Sequence, residues 1–273
     1  LPAAIVPVAV GVGIARSLGH VVASHAVMAL VVSLAVQVGT NYANDYSDGM
    51  RGTDTVRVGP MRLVASGTAS AKAVRLAAAL AFLAAAVVGL VVSLLTSPWL
   101  ILLGAACIAA GVLYTGGPKP YGYLGLGECF VFVFFGPVAV LGTTYVCAGG
   151  LSAGAWLDAI PVGLFAVSLL VVNNLRDIEN DARVGKTTLA VVIGDRRTRL
   201  FYAALMATIV ALVIGAGIWR HFAWLALCAA PVMLRPTIAV LRGARGRELI
   251  AVLGQTGAAQ LVFGLLFAVG IAL

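Results

Sequence analysis

Long apolar runs, interrupted at short intervals by charges, glycine or proline, restrict the fold of this chain more than any other feature. Nine of them can be drawn, at roughly residues 1–15, 18–43, 72–96, 98–115, 126–149, 155–175, 198–219, 222–241 and 248–273. A helix needs roughly 20 apolar residues to cross a hydrocarbon core of about 30 Å, and most of these runs have that length. Only 10% of the 273 residues are charged and 62% are hydrophobic, against roughly 25% charged in a soluble domain. A water-soluble fold cannot hide that much apolar surface, and disorder requires the opposite composition. The expected fold class is all-α: one polytopic membrane domain over residues 1–273, with about nine transmembrane helices. The chain begins at Leu1 inside an apolar run, so the first helix is expected to start upstream, and no cleavable signal peptide is read.

The basic residues set the orientation. If nine spans alternate in direction, the connections after the second, fourth, sixth and eighth spans share one face. Those connections hold 16 of the 18 Lys and Arg residues, leaving Arg16 and Arg220 for the other face. Positive charge is retained in the cytoplasm, so the even-numbered connections are expected to be cytoplasmic. Trp99, Trp156, Trp219 and Trp224 fall at the opposite ends of the spans, as an interfacial belt does. The net charge of +8 is thus explained by topology and attraction to the lipid bilayer, and no basic tail or aromatic-interleaved patch points to nucleic acid. Cys107, Cys129, Cys147 and Cys228 are scattered through apolar runs without metal-ligand spacing, which reads as packing.

Nine of the ten acids lie on or near the basic face, and no span carries a charge well inside it. Ion-coupled transporters place ionisable groups at mid-membrane, so a transporter or lipid carrier is the weaker reading. Two clusters dominate the basic face. Asn41-Tyr42-Ala43-Asn44-Asp45-Tyr46-Ser47-Asp48 continues to Arg51, Gly52 and Asp54. Asn173-Asn174-Leu175-Arg176-Asp177-Ile178-Glu179-Asn180-Asp181 continues to Arg183, Lys186 and Thr187. Each follows a span, and the repeat suggests two pseudo-equivalent halves, roughly 1–125 and 126–273. On a helix, residues four apart share a face, so Asn44 pairs with Asp48 and Asp177 with Asp181. Converging carboxylates repel unless a cation joins them. Hard oxygen ligands without His or Cys select Mg2+, whose shell substrate phosphates commonly complete. The interspersed Arg51, Arg57, Arg62, Arg176, Arg183 and Lys186 suit diphosphate oxygens. The plain alternative is a pair of solvated loops with a topogenic role.

The two clusters resemble the aspartate-rich motifs of the UbiA superfamily of intramembrane prenyltransferases, and the resemblance spans nearly the whole chain. The string from Asn44 to Asp54, then Gly59-Pro60 with Arg62, Tyr114-Thr115-Gly116-Gly117-Pro118 with Lys119 and Tyr121, Leu124-Gly125 with Gly127-Glu128, and Asn173 through Asp181 with Gly185-Lys186-Thr187 look like the menaquinone branch. That branch comprises the 1,4-dihydroxy-2-naphthoate prenyltransferases. The first motif departs from the common superfamily form, because its expected third position is Gly52 and the next acid is Asp54.

The resemblance implies an enzyme of the bacterial cell membrane with its active-site mouth on the cytoplasmic face. It would use Mg2+ to transfer a polyprenyl group from polyprenyl diphosphate to 1,4-dihydroxy-2-naphthoate. A superfamily enzyme with another acceptor, such as 4-hydroxybenzoate, is the nearest alternative. The implied metal ligands are Asp45, Asp48, Asp54, Asp177 and Asp181. Asn44, Arg51, Arg62, Arg176 and Lys186 would bind diphosphate. Tyr46, Tyr114, Tyr121 and Asn173 would line the prenyl or acceptor site. Asp48, Asp181 and Lys119 are the candidate catalytic groups, and the sequence does not choose between Lys119 and an aspartate for handling the acceptor's phenol. Glu128 opens the fifth span and could be buried there, but a helix-start carboxylate is sufficient to explain it.

Overall fold

The computed structural model describes residues 1–53, 59 and 61–273. The apolar runs fold as helices α1 (Pro2–Ser17), α2 (Ala23–Arg51), α3 (Ala71–Thr96), α4 (Leu100–Leu113), α5 (Gly127–Ala148), α6 (Ala153–Arg183), α8 (Asp195–Ala216), α9 (His221–Leu241) and α10 (Glu248–Ala272), with a single short helix, α7 (Leu189–Ile193), after α6. Seven helices among the described residues are long and apolar enough to span a bilayer. The other two of the nine expected spans are shorter. The 14 residues of α4 rise only about 21 Å at 1.5 Å per residue.

Two helices outrun the expected spans, and both carry a motif. The α2 and α6 helices continue to Arg51 and Arg183, eight residues beyond the ends of their apolar runs. The Asn/Asp clusters are therefore helical projections rather than loops. Gly52, at φ +70°, takes the left-handed conformation that ends α2, a geometry glycine adopts without a Cβ penalty. Ser70, Ser152 and Thr188 cap α3, α6 and α7 by accepting from backbone N–H groups of the first turn.

Proline explains two irregularities. Within α5, Phe134–Val138 forms a π-helical turn around Pro137; proline offers no N–H and crowds the preceding turn, and a widened turn accommodates both effects. The first part of α9, His221–Ala229, is a 3-10 helix. Regular α-helix starts at Ala230, with Pro231 in its first turn, where its missing N–H costs nothing.

The core lies where α1, α6, α8 and α10 meet. Val6, Val10, Ile14, Phe165, Tyr202, Ile209, Phe263 and Phe267 are all buried there. Large apolar side chains elsewhere face outward, among them Leu80, Leu83 and Leu94 of α3, as a lipid-facing helix requires. All four tryptophans are exposed near the helix ends remote from the two motifs. The protein is an integral membrane protein.

Candidate active site

A cavity of about 1090 Å3 runs between α2, α3, α4, α5 and α6. Its wall changes character along its length. At one end, α2 and α6 contribute Asn44, Asp48, Asn173, Asp177, Asn180 and Asp181, joined by Arg62 and Lys186. Beyond Tyr114, Tyr121 and Phe130 the lining is mostly apolar, the hydroxyls of Ser33, Ser93 and Thr143 being turned to helix carbonyls, and it reaches Val92, Leu100 and Val146 near the opposite ends of α3, α4 and α5. The cavity thus spans a polar pole and an apolar shaft of nearly membrane depth.

The polar end is tightly organised. Asp48 is 2% exposed; its Oδ1 accepts from the Tyr123 hydroxyl at 2.7 Å, and its Oδ2 is 3.8 Å from Lys186 Nζ. Asn44 Oδ1 accepts from the buried Thr115 hydroxyl at 2.8 Å. On the facing helix, Arg176 donates through Nε and a terminal nitrogen to the two oxygens of Asp177, and also to Asn173 Oδ1. Asn180 donates to the carbonyl of Thr53, which ties the second motif to the end of α2. Asn174 donates at 3.0 Å to Glu128, buried at the start of α5.

At the junction with the shaft, Tyr121 stacks on Phe130 with centroids 3.9 Å apart and meets Tyr114 edge-on at 5.4 Å. Burial pushes the Tyr123 phenol up to about 12, and the Asp48 carboxylate beside it acts in the same direction. That phenol consequently remains a hydrogen-bond donor across the physiological range.

Of the residues singled out in the sequence, Asn44, Asp48, Arg62, Tyr114, Tyr121, Asn173, Asp177, Asp181 and Lys186 line the cavity. Five others do not. Both oxygens of Asp45 accept from backbone N–H groups of Leu63 and Val64, so this carboxylate holds the following loop. Arg51 donates to the carbonyls of Thr115 and Gly117. Tyr46 sits beside Arg75, 5.9 Å from its guanidinium carbon. Arg176 is committed to Asp177 and Asn173, and a Cβ at Gly59 would come 3.2 Å from its guanidinium carbon. Lys119 is exposed, beyond the turn that Arg51 pins. Asp54 and Arg57 lie outside the described residues. The repulsion expected between the carboxylates is also reduced, because Asp177 is matched by Arg176 and Asp48 faces Lys186.

The sequence reading gave no role of their own to Thr115, Asn180 and Tyr123. Asn180 stands inside the second motif, four residues from Arg176 in the same helix, so its position was readable. For Tyr123 the only signal was its place in the Tyr121–Tyr123 turn. In a 3-10 helix, residues two apart point in different directions, and the sequence does not say which one meets Asp48.

Comparisons with known proteins identify the family. Residues 4–253 match the UbiA prenyltransferase family. The 1,4-dihydroxy-2-naphthoate octaprenyltransferase of Mycobacterium tuberculosis is 51% identical over 265 residues, covering 97% of this chain and 91% of the relative. The apo structure of a UbiA homolog from Aeropyrum pernix K1 superposes with a TM-score of 0.73 at 18% identity, covering 96% of this chain and 95% of the other. A UbiA homolog from Archaeoglobus fulgidus bound to GPP and Mg2+ gives 0.64 at 14% identity, with 96% and 95% covered. With the family matched over residues 4–253 and a relative 51% identical over 97% of this chain, the chain belongs to the UbiA prenyltransferase family.

Proposed function

We propose that this prenyltransferase moves a polyprenyl group from polyprenyl diphosphate to 1,4-dihydroxy-2-naphthoate, using Mg2+, at the cytoplasmic face of the bacterial cell membrane. The product would be a demethylmenaquinol, the reduced form of demethylmenaquinone. The observation that carries the reading is the division of the cavity into a polar end and an apolar shaft, which is the division within a polyprenyl diphosphate itself. The choice of acceptor is supported by the M. tuberculosis relative, named for this acceptor and an octaprenyl donor.

The donor set at the polar end fits Mg2+. Its carboxylates and amides offer oxygen, and neither His nor Cys lines that end. Among the described residues, no three His, Cys, Asp or Glu side chains form a metal-holding group. Oxygen donors forming an incomplete cage suit an ion that keeps waters and is completed by phosphate oxygens. Asp48 and Asp181 would hold the ion from the two helix ends, with Asp177 held in place by Arg176. When bound, Mg2+ offsets the diphosphate's charge and makes it a better leaving group.

The chain's own residues do the remainder. Lys186 and Arg62 face the diphosphate position and stabilise charge on the departing oxygens. The allylic C–O bond breaks with its electron pair passing to diphosphate. Tyr114, Tyr121 and Phe130 surround the place where the head of the prenyl chain then lies, and each aromatic face stabilises an allylic cation by roughly 0.5–2 kcal/mol. The ring carbon bearing the acceptor's carboxylate forms the new C–C bond. CO2 leaves, and the electron pair of its bond returns to the ring. This set leaves out Asp45, Tyr46, Arg51 and Lys119, and it gives Arg176 the task of orienting Asp177 and Asn173.

The test uses purified protein in detergent with polyprenyl diphosphate and Mg2+, offered 1,4-dihydroxy-2-naphthoate and 4-hydroxybenzoate in parallel. A prenylated naphthoquinol lacking the carboxylate, abolished by EDTA, is expected. Product with hydroxybenzoate alone would overturn the acceptor.

The shaft makes a separate prediction about chain length. Gly89, Gly104 and Gly142 line its far part, and a Cβ built on Gly104 or Gly142 meets nothing within 4 Å. Gly142→Leu therefore fills the shaft rather than displacing a neighbour. Turnover should shift toward short donors such as geranyl diphosphate relative to long ones, as read by product mass. An unchanged ratio would mean that the tail does not occupy this part of the shaft.

For the membrane face, a cysteine placed at Lys119 in a cysteine-free background should react with an impermeant thiol reagent only from the cytoplasmic side. One at Trp99 should react only from outside. Reversed labelling would invert the topology.

A further inference from the structure

We propose that Tyr123 is a positioning residue that holds the Asp48 carboxylate and locks the α2 motif to the loop following the α6 motif. The proposal rests on the metal role given to Asp48 above. Four contacts converge on this residue. Its hydroxyl donates to Asp48 Oδ1 at 2.7 Å. Its ring lies 5.1 Å from Lys186 Nζ and 5.2 Å from the Arg51 guanidinium carbon. Its carbonyl accepts from the Thr187 N–H at 3.1 Å.

The turn carrying Tyr123 is itself fixed. Gly122 N–H donates to the Tyr114 carbonyl at 2.9 Å, and a Cβ on Gly122 would come 2.6 Å from that oxygen. Only glycine allows the turn to approach so closely. Tyr123 is therefore delivered to Asp48 from a rigid frame. One carboxylate oxygen is held by the phenol, and the other is directed to Lys186, which stands on the same ring.

A donor that fixes one oxygen of a ligating carboxylate orients the other, and removing such outer partners typically lowers metal affinity about 10–100-fold. Tyr123→Phe keeps the ring under Lys186 and Arg51 and removes only the hydroxyl. We expect it to raise the Mg2+ concentration for half-maximal rate about 10–100-fold, with the rate at saturating Mg2+ changed far less. The same loss should appear without turnover, as weaker Mn2+ binding in the presence of inorganic diphosphate, followed by electron paramagnetic resonance. A merely structural role would instead lower the melting temperature and leave the metal dependence unchanged.

Asp48→Asn is the control. If Asp48→Asn weakens Mn2+ binding and Tyr123→Phe leaves both metal readouts at wild-type values, the positioning role is overturned and the metal role of Asp48 stands. If Asp48→Asn also binds Mn2+ as wild type does, the metal role fails and the proposal falls with it.

Discussion

Asp48→Asn and Asp181→Asn should each lower turnover by at least ~10²-fold, the usual scale for removing a charge that acts on the transition state, in protein that still folds. Both side chains are buried, line the cavity and come from different helices. Asparagine preserves shape and volume but removes the negative charge. At Asp48 it also leaves Lys186 without its carboxylate partner at 3.8 Å. Turnover measured beside thermal unfolding in detergent separates chemistry from stability. Near-normal turnover in either variant would remove that residue from the diphosphate end. Asp45→Asn should behave differently, although the two aspartates are only three residues apart. Its carboxylate accepts two loop N–H groups, and an amide offers one acceptor oxygen and a repelling NH2. Its loss should fall on the loop's order and the protein's stability, leaving the Mg2+ dependence of the remaining activity unchanged.

The second large effect is on folding. A Cβ at Gly136 would lie 2.9 Å from the Cα of Gly163 and 3.1 Å from the Ala159 carbonyl oxygen. Both belong to the backbone of α6, which no rotamer change can move aside. Gly136→Val therefore forces the π-turn of α5 away from α6. Overpacking of this kind costs about 1–3 kcal/mol or somewhat more, and α6 carries the second motif at its end. The expected result is a clear drop in unfolding temperature and in yield of folded protein. Gly142→Val, six residues along the same helix, meets nothing within 4 Å and should unfold near the wild-type temperature. Equal stability of the two variants would contradict the close α5–α6 contact.

The helices were legible because hydrophobic length is nearly sufficient to specify a membrane span. The lengths of their polar extensions were not, because Asn, Asp and Arg beyond an apolar run look the same in a loop as in a helix. In the structure both helices continue to Arg51 and Arg183. Within the motifs, the four-residue spacing of Asn44 with Asp48 and of Asp177 with Asp181 carried through, since both stretches are helical and all four residues reach the cavity. Spacing could not separate Asp45 from Asp48, because the loop that takes up Asp45 returns from residues 61–69. It could not separate Lys119 from Lys186 either. Lys119 lies past a turn whose carbonyls Arg51 holds, while Lys186 is brought back by its own N–H bond to the Asp181 carbonyl at 2.9 Å. Tyr123 illustrates the same limit, since it meets Asp48, Arg51 and Lys186, all distant in sequence.

On the proposed function, the two helix ends together hold a metal-bound diphosphate. A structure determined with Mn2+ and a non-cleavable thio-analogue of a prenyl diphosphate, with the metal located by anomalous scattering, tests it most directly. Mn2+ is expected between Asp48 of α2 and Asp181 of α6, the diphosphate within reach of Lys186 and Arg62, and the tail in the shaft toward Gly142. Metal and diphosphate bound away from either aspartate, or a tail outside the shaft, would contradict it.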